Sequence, residues 1–150
     1  MKTITETIDT PGLPELIRVA MKDFFNLYKE GKLDDMRIKD DRPVNSLKIE
    51  TLEKSFELLK NLSIWIMTSC GIDIPPPAIT SPINGSIEFE WKNDNRTYLS
   101  INVEEVGNNF SYFCDSIKGG AILSENKNIV DLGHPRQAGI AEIFKKELSL

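Results

Sequence analysis

Two glutamates set two apart, Glu88 and Glu90, come nearest to chemistry in this chain by type and spacing. They lie in Gly85-Ser86-Ile87-Glu88-Phe89-Glu90-Trp91, where apolar and polar residues alternate. A period of two puts both carboxylates on one side of a β-strand and Ile87, Phe89 and Trp91 on the other. A carboxylate pair runs general acid/base chemistry when burial drives its two pKa values apart. Left wet, the same pair is a solvated face or a docking face for a protein of opposite charge. Tyr98, Ser100 and Asn102, alternate residues of the next strand, are expected on that outward face as well.

The other chemistry on offer is a thiol paired with an imidazole. His134 is the single histidine, and Cys70 and Cys114 are the two cysteines. One histidine excludes a two-histidine iron site or a histidine-rich zinc site within one chain, and two distant cysteines do not make a structural zinc site. No metal or cofactor is therefore expected. Cys114 shares its parity with Phe110 and Tyr112 and reads as core, where a thiol among apolar groups is inert. His134, just before Pro135, reads as the lead into a last helix. Without a CxxC spacing, the two thiols are expected reduced. Asn84-Gly85 is a turn signal, Gly119-Gly120 lacks the lysine of a phosphate-binding loop, and no GxSxG elbow occurs.

Charge narrows the partners. The chain of 150 residues carries a net charge of −5, and the acid gathers along the β segments. Residues 84–115 hold six acids (Glu88, Glu90, Asp94, Glu104, Glu105, Asp115) against two bases, Lys92 and Arg96. A phosphate backbone needs clustered Lys and Arg. The basic doublet Lys145-Lys146 is flanked by Glu142 and Glu147, so direct nucleic-acid binding is not expected. No apolar run approaches the roughly 20 residues that span a bilayer. The first residues lack the apolar core of a signal peptide, which makes a cytoplasmic protein the expectation.

The elements that must position these residues follow from periodicity. Residues 1–12 are polar, threonine-rich and end in Thr10-Pro11-Gly12, which reads as a loose arm before a single globular domain over 13–150. Leu13, Leu16, Ile17, Ala20, Met21, Phe24, Leu27 and Tyr28 recur at helical spacing, with Pro14 at the start and Gly31 past the end. Residues 32–42 are densely charged and read as a surface loop. Asn45 or Ser46 is placed to cap a second helix, whose stripe is Ile49, Leu52, Phe56, Leu59, Leu62 and Ile66 and whose stop is Gly71. Trp65 adds bulk beside that stripe; it and Trp91 are expected to anchor the core. Ile74-Pro75-Pro76-Pro77-Ala78 cannot be helix interior and reads as a stiff spacer.

Parity then constrains the sheet. Ile87, Phe89 and Trp91 must face Thr97, Leu99, Ile101 and Val103 across an antiparallel ladder, so odd pairs with odd. A three-residue loop Asn93-Asp94-Asn95, pairing Lys92 with Arg96 and Trp91 with Thr97, satisfies this with Asn95 in the left-handed region. A five-residue loop Lys92–Arg96 pairs Trp91 with Thr97 as well, whereas loops of two or four residues are forbidden by parity and shifted choices would need a bulge. Phe110, Tyr112 and Cys114 form the inner side of a third strand, with Phe113 outside. Ala121-Ile122-Leu123 suggests a fourth, and a final helix from Pro135 carries Ile140, Ile143, Phe144 and Leu148 on one side, weakened by Gly139. The fold class is α+β: two N-terminal helices, a three- to four-stranded antiparallel meander and one C-terminal helix.

About half of the chain, residues 40–112, resembles a family of small, uncharacterised bacterial proteins. The matching pieces are Pro43-Val44-Asn45, the helix over 51–62, and the spacer Pro77-Ala78-Ile79-Thr80-Ser81-Pro82. They continue into a strand pair of the form G-x-[IV]-x-[LF]-E-W and L-x-[IV]-x-[IV], here residues 85–91 and 99–103. Upstream the chain departs from the pattern, with Asp34-Asp35-Met36-Arg37-Ile38-Lys39-Asp40 in place of a Trp-Asp-Gly-type turn. The resemblance implies an architecture, a bacterial origin and an accessory role in a mobile-element or antiviral defence operon. Together these readings make the chain a non-enzymatic, regulatory or accessory protein that binds another protein, within a multi-protein complex, through Glu88, Glu90, Tyr98, Ser100 and Asn102. The alternative is a small hydrolase-like enzyme using Glu88 with Glu90, or Cys114 with His134.

Overall fold

The structure, a computed structural model, describes residues 3–33, 47–82, 84–94, 96–107, 109–115, 122–128 and 138–148. The described elements run α1 (Ile4–Ile8), α2 (Glu15–Lys29), α3 (Ile49–Cys70), β1 (Ala78–Thr80), β2 (Ile87–Asn93), β3 (Arg96–Val103), β4 (Asn109–Asp115), β5 (Ile122–Asn128) and α4 (Ala138–Leu148). The strands form one antiparallel sheet in the order β1-β2-β3-β4-β5. Helices therefore accompany a four-stranded meander, β2 to β5, as the α+β pattern requires. The meander gains a short edge strand, β1, from the tail of the proline spacer. Ala78, Ile79 and Thr80 can join the ladder because the prolines end at Pro77, and each of the three keeps its N–H.

The expected loose arm is not loose over its described part. Ile4 and Ile8 are buried in the same core as the sheet, and between them Thr7 is buried as well. Thr3 caps α1 by accepting from the Glu6 N–H at 3.2 Å. At the other end Arg18 of α2 supplies donors for carbonyls that a helix terminus leaves open. Its Nε donates to the Ile8 carbonyl at 2.9 Å and its Nη2 to the Thr10 carbonyl at 3.0 Å, while Nη1 bonds Glu15 at 2.7 Å. Polarity made the segment look solvated; two isoleucines four apart and one guanidinium dock it.

In α3 the stripe Leu52, Phe56, Leu59, Leu62 and Ile66 is fully buried, and Trp65 is partly buried against it. Ser55 and Ser63 survive in this buried face because each hydroxyl donates to the carbonyl one turn back, at 2.6 and 2.7 Å. Gly71 ends the helix at φ 69°, a left-handed cap that a side chain would strain. Asn45, Ser46, most of the charged stretch 32–42 and His134 lie outside the described residues.

Ile87, Phe89, Trp91, Leu99, Ile101, Val103, Phe110 and Cys114 share the inner face and are buried. Against them lie α2 at β1, α3 at β2 and α4 at β3. Phe144 of α4 meets Trp91 edge-on at 5.2 Å and Tyr98 at 6.2 Å. The indole Nε1 of Trp91 donates to the Pro75 carbonyl at 2.8 Å, so one residue ties the proline segment to the sheet and α4 to both.

Candidate interaction face

Antiparallel pairing assembles the outer face in two rows. One row is Thr80, Glu88, Asn102 and Ser111; the next is Ala78, Glu90, Ser100 and Phe113. The expected residues Glu88, Glu90, Ser100 and Asn102 are thus brought together, two on β2 and two on β3. Ser100 Oγ donates to Glu88 Oε1 at 3.1 Å, across the diagonal from its register partner Glu90. Lys92 Nζ stands 3.6 Å from Glu90 Oε2. Asn102 turns away from the carboxylates and donates to Ser86 Oγ at 3.1 Å, and Ser86 in turn donates to Asn84 Oδ1 at 2.7 Å. Phe113 adds an apolar ring to this polar field, 39% exposed.

Tyr98 is not on this face. Its side chain is 2% exposed and packs against Phe144, on the inner side. The cause is the hairpin. Ile87 to Trp91 pair odd with odd down to Trp91↔Leu99, but the register then shifts, so that Lys92 faces Thr97 and Asn93 faces Arg96. The loop therefore spans two residues, not three, and Asp94 takes the left-handed conformation at φ 50°. A bulge reconciles the short loop with the alternation: Tyr98 and Leu99 are both buried in succession where strict alternation would send Tyr98 out.

The bulged tyrosine lies beside a second acid that sequence reasoning passed over. Glu147 of α4 is 5% exposed. Its carboxylate accepts from Arg96 Nη2 at 2.8 Å and from Asn93 Nδ2 at 3.5 Å. Burial, and then the charge of Glu147, push the Tyr98 hydroxyl up to about 12. The signal was present: Glu147 falls three residues after Phe144 and seven after Ile140, on the buried stripe of the helix.

The turn after β3 carries Glu104 and Glu105 and is clamped to α3. Lys54 Nζ donates to the carbonyls of Glu105 at 2.9 Å and Gly107 at 2.7 Å, and Lys48 Nζ meets Glu105 Oε1 at 2.6 Å. Desolvation lowers the Lys54 ammonium below its ordinary value against the raising influence of Glu104 and Glu105. The hydrogen bond to Glu105, together with its charge, raises Lys48. Val106 stands at the tip of this turn, 81% exposed.

Of the alternative chemistry, Glu88 and Glu90 stand on one face, whereas His134, the partner expected for Cys114, lies outside the described residues. Cys114 lies on the inner face opposite Leu99, with the sheet between it and the two glutamates. Cys70, the last residue of α3, and Cys114 are both thiols. Among the described residues no group of three or more His, Cys, Asp or Glu is arranged to hold a metal ion. Among them, too, no helix is long and apolar enough to cross a membrane. No protein-family model, curated protein or solved structure matches the chain.

Proposed function

We propose that this chain is a non-enzymatic binding protein that docks another protein on the outer face of its sheet. The observation that carries the reading is the pair of rows Thr80-Glu88-Asn102-Ser111 and Ala78-Glu90-Ser100-Phe113. They combine two partly exposed carboxylates, hydrogen-bonding side chains and one exposed aromatic ring on one face of the sheet. A partner suited to it presents Lys or Arg around an apolar depression that takes Phe113. Aromatic anchors ringed by polar contacts concentrate binding energy at interfaces. The role is regulatory or accessory within a multi-protein complex, and its assignment to a mobile-element or defence operon rests on the family resemblance alone.

The test is a tagged pull-down from the native cell, repeated with Glu88→Ala/Glu90→Ala and with Phe113→Ser. Both variants change surface side chains and are expected to keep the fold. A stoichiometric partner held by the parent chain and lost by both variants supports the reading. A partner retained equally by both variants refutes this face as the docking surface.

A further inference from the structure

Asn84 precedes Gly85, and no other asparagine of the chain is followed by glycine. The pair sits in the turn that leads into β2, with Asn84 exposed and Gly85 in the left-handed region at φ 82°. The Asn84 amide is held in place. Its Oδ1 accepts from the Ser86 N–H at 3.1 Å and from Ser86 Oγ at 2.7 Å. Both donors lie one residue beyond Gly85, so the bonds curl the Asn84 side chain over the Gly85 peptide. Two donors thus converge on an amide oxygen, beside a backbone nitrogen whose own residue carries no Cβ to crowd it.

We propose that Asn84 is a self-modification site, at which the chain converts asparagine to aspartate or isoaspartate with loss of ammonia. Hydroxide takes the proton of the Gly85 nitrogen, and that nitrogen attacks Asn84 Cγ. The N–Cγ bond forms, the Cγ–Nδ2 bond breaks, and Nδ2 leaves as ammonia after taking a proton from water. The five-membered imide is then opened by water. Addition at Cγ restores the main chain and leaves an aspartate; addition at the main-chain carbonyl leaves an isoaspartate, with the chain running through Cγ. Negative charge develops on Oδ1 as the nitrogen adds, which is where the two Ser86 donors already point. The turn supplies the attacking atom and the electrophile within one dipeptide, so no enzyme is required.

The same turn carries a brake. The Gly85 N–H donates to the Pro82 carbonyl at 3.1 Å, and that bond must open before the nitrogen can attack. Exposed turns open locally without global unfolding, so the reaction is slow but proceeds in the folded chain. Its products reach the sheet. Ser86 is 1% exposed, and its hydroxyl accepts from Asn102 Nδ2 on the outer face at 3.1 Å. An aspartate keeps an acceptor for Ser86 and adds a charge; an isoaspartate lengthens the main chain immediately before it. The modification therefore alters one margin of the Glu88/Glu90 face. That consequence rests on the docking reading, whereas the chemistry itself does not.

The full chain, incubated at neutral and at mildly alkaline pH, tests the proposal by peptide mapping and by ammonia release. Aspartate and isoaspartate are expected to accumulate at position 84 ahead of every other asparagine, and faster at the higher pH. Asn84→Gln, whose longer side chain must close a larger ring, is expected to abolish most of the release. Ser86→Ala removes the Oγ donor, keeps the N–H, and is expected to slow the step several-fold. Circular dichroism checks the fold of each variant. A folded parent chain in which position 84 reacts no faster than the other asparagines overturns the site. So does ammonia release that Asn84→Gln leaves unchanged. A folded Ser86→Ala chain that reacts as fast as the parent, or faster, overturns the activation by Ser86. Every readout is made on the chain alone, without a partner, so failure here is distinct from failure of the docking reading.

Discussion

Replacing Trp91 tests the structural logic of the chain at its most connected point. The indole is 1% exposed, lies 6.5 Å from Phe89, meets Phe144 at a near-perpendicular 85°, and donates to the Pro75 carbonyl. Removing a buried indole costs about 3–5 kcal/mol through lost transfer energy and the cavity it leaves. A domain is stable by only about 5–15 kcal/mol, so Trp91→Ala brings this one close to its limit. Trp91→Phe isolates the hydrogen bond, because the ring contact with Phe144 persists while the donor is gone; about 1–2 kcal/mol is expected for it. The variants are compared by urea unfolding, read by circular dichroism.

With a slope of about 2 kcal/mol per M, a loss of about 4 kcal/mol moves the midpoint by about 2 M for alanine, and by about 0.5–1 M for phenylalanine. Adding Phe144→Ala closes a double-mutant cycle whose coupling is expected at about 0.5–1.5 kcal/mol, the worth of an edge-to-face pair. A zero coupling energy with both single variants folded would show that α4 does not seat on β2. An alanine variant as stable as the parent would show that the inner face of the strand is not core.

Two further outcomes follow from the same contacts. The Tyr98 hydroxyl is raised to about 12 in the folded chain, against about 10 unfolded, so the native state keeps a proton that the unfolded state loses. Stability should be unaffected by this group below about pH 10 and fall as pH rises from there to about 12; ultraviolet titration should show one tyrosine ionising late, and Tyr98→Phe should abolish that late step. If no tyrosine step remains near pH 12, the burial of Tyr98 is wrong. Arg18→Ala removes the donors on the Ile8 and Thr10 carbonyls and should cost about 1–2 kcal/mol, concentrated in α1. Hydrogen exchange checks this, since amides of residues 4–8 should lose protection before the rest; unchanged protection there would refute the docking role of Arg18.

What the chain discloses before folding depends on whether a rule is local. Helix periods and strand alternation are local, and they place Leu52, Phe56, Phe89, Phe110 and Cys114 on their buried sides. The hairpin marks the boundary of that reach. Strict parity forbids a two-residue loop and selects Asn93-Asp94-Asn95, and nothing local announces the bulge that lifts the prohibition. The choice falls to packing: Tyr98 has a socket against Phe144, an element more than forty residues away in sequence, and turning inward to fill it requires the bulge. Ile4 and Ile8 were equally unreadable, since nothing local in a polar dodecapeptide announces the core they enter or the guanidinium that α2 presents to its carbonyls.

The same distinction changes what the acid of the sheet means. Six acids against two bases along residues 84–115 suggest one negative surface, yet a charge count along the chain ignores what lies across from each group. Glu105 is met by Lys48, and the turn that holds Glu104 and Glu105 is gripped by Lys54, both lysines from the α3 region. Arg96, one of the two bases, pairs with the buried Glu147. On the outer face of β2 stand Glu88 and Glu90, with Ser100 on one and Lys92 near the other. Two carboxylates beside a lysine make a modest field, screened within about 8–10 Å at ordinary ionic strength. On the docking reading, charge orients a partner without holding it alone, and the weight of binding falls on Phe113 and the hydrogen-bonding rows. A docking interface built this way should weaken with salt by a limited factor and fail outright on loss of the aromatic ring, whereas a purely electrostatic surface would behave the other way round.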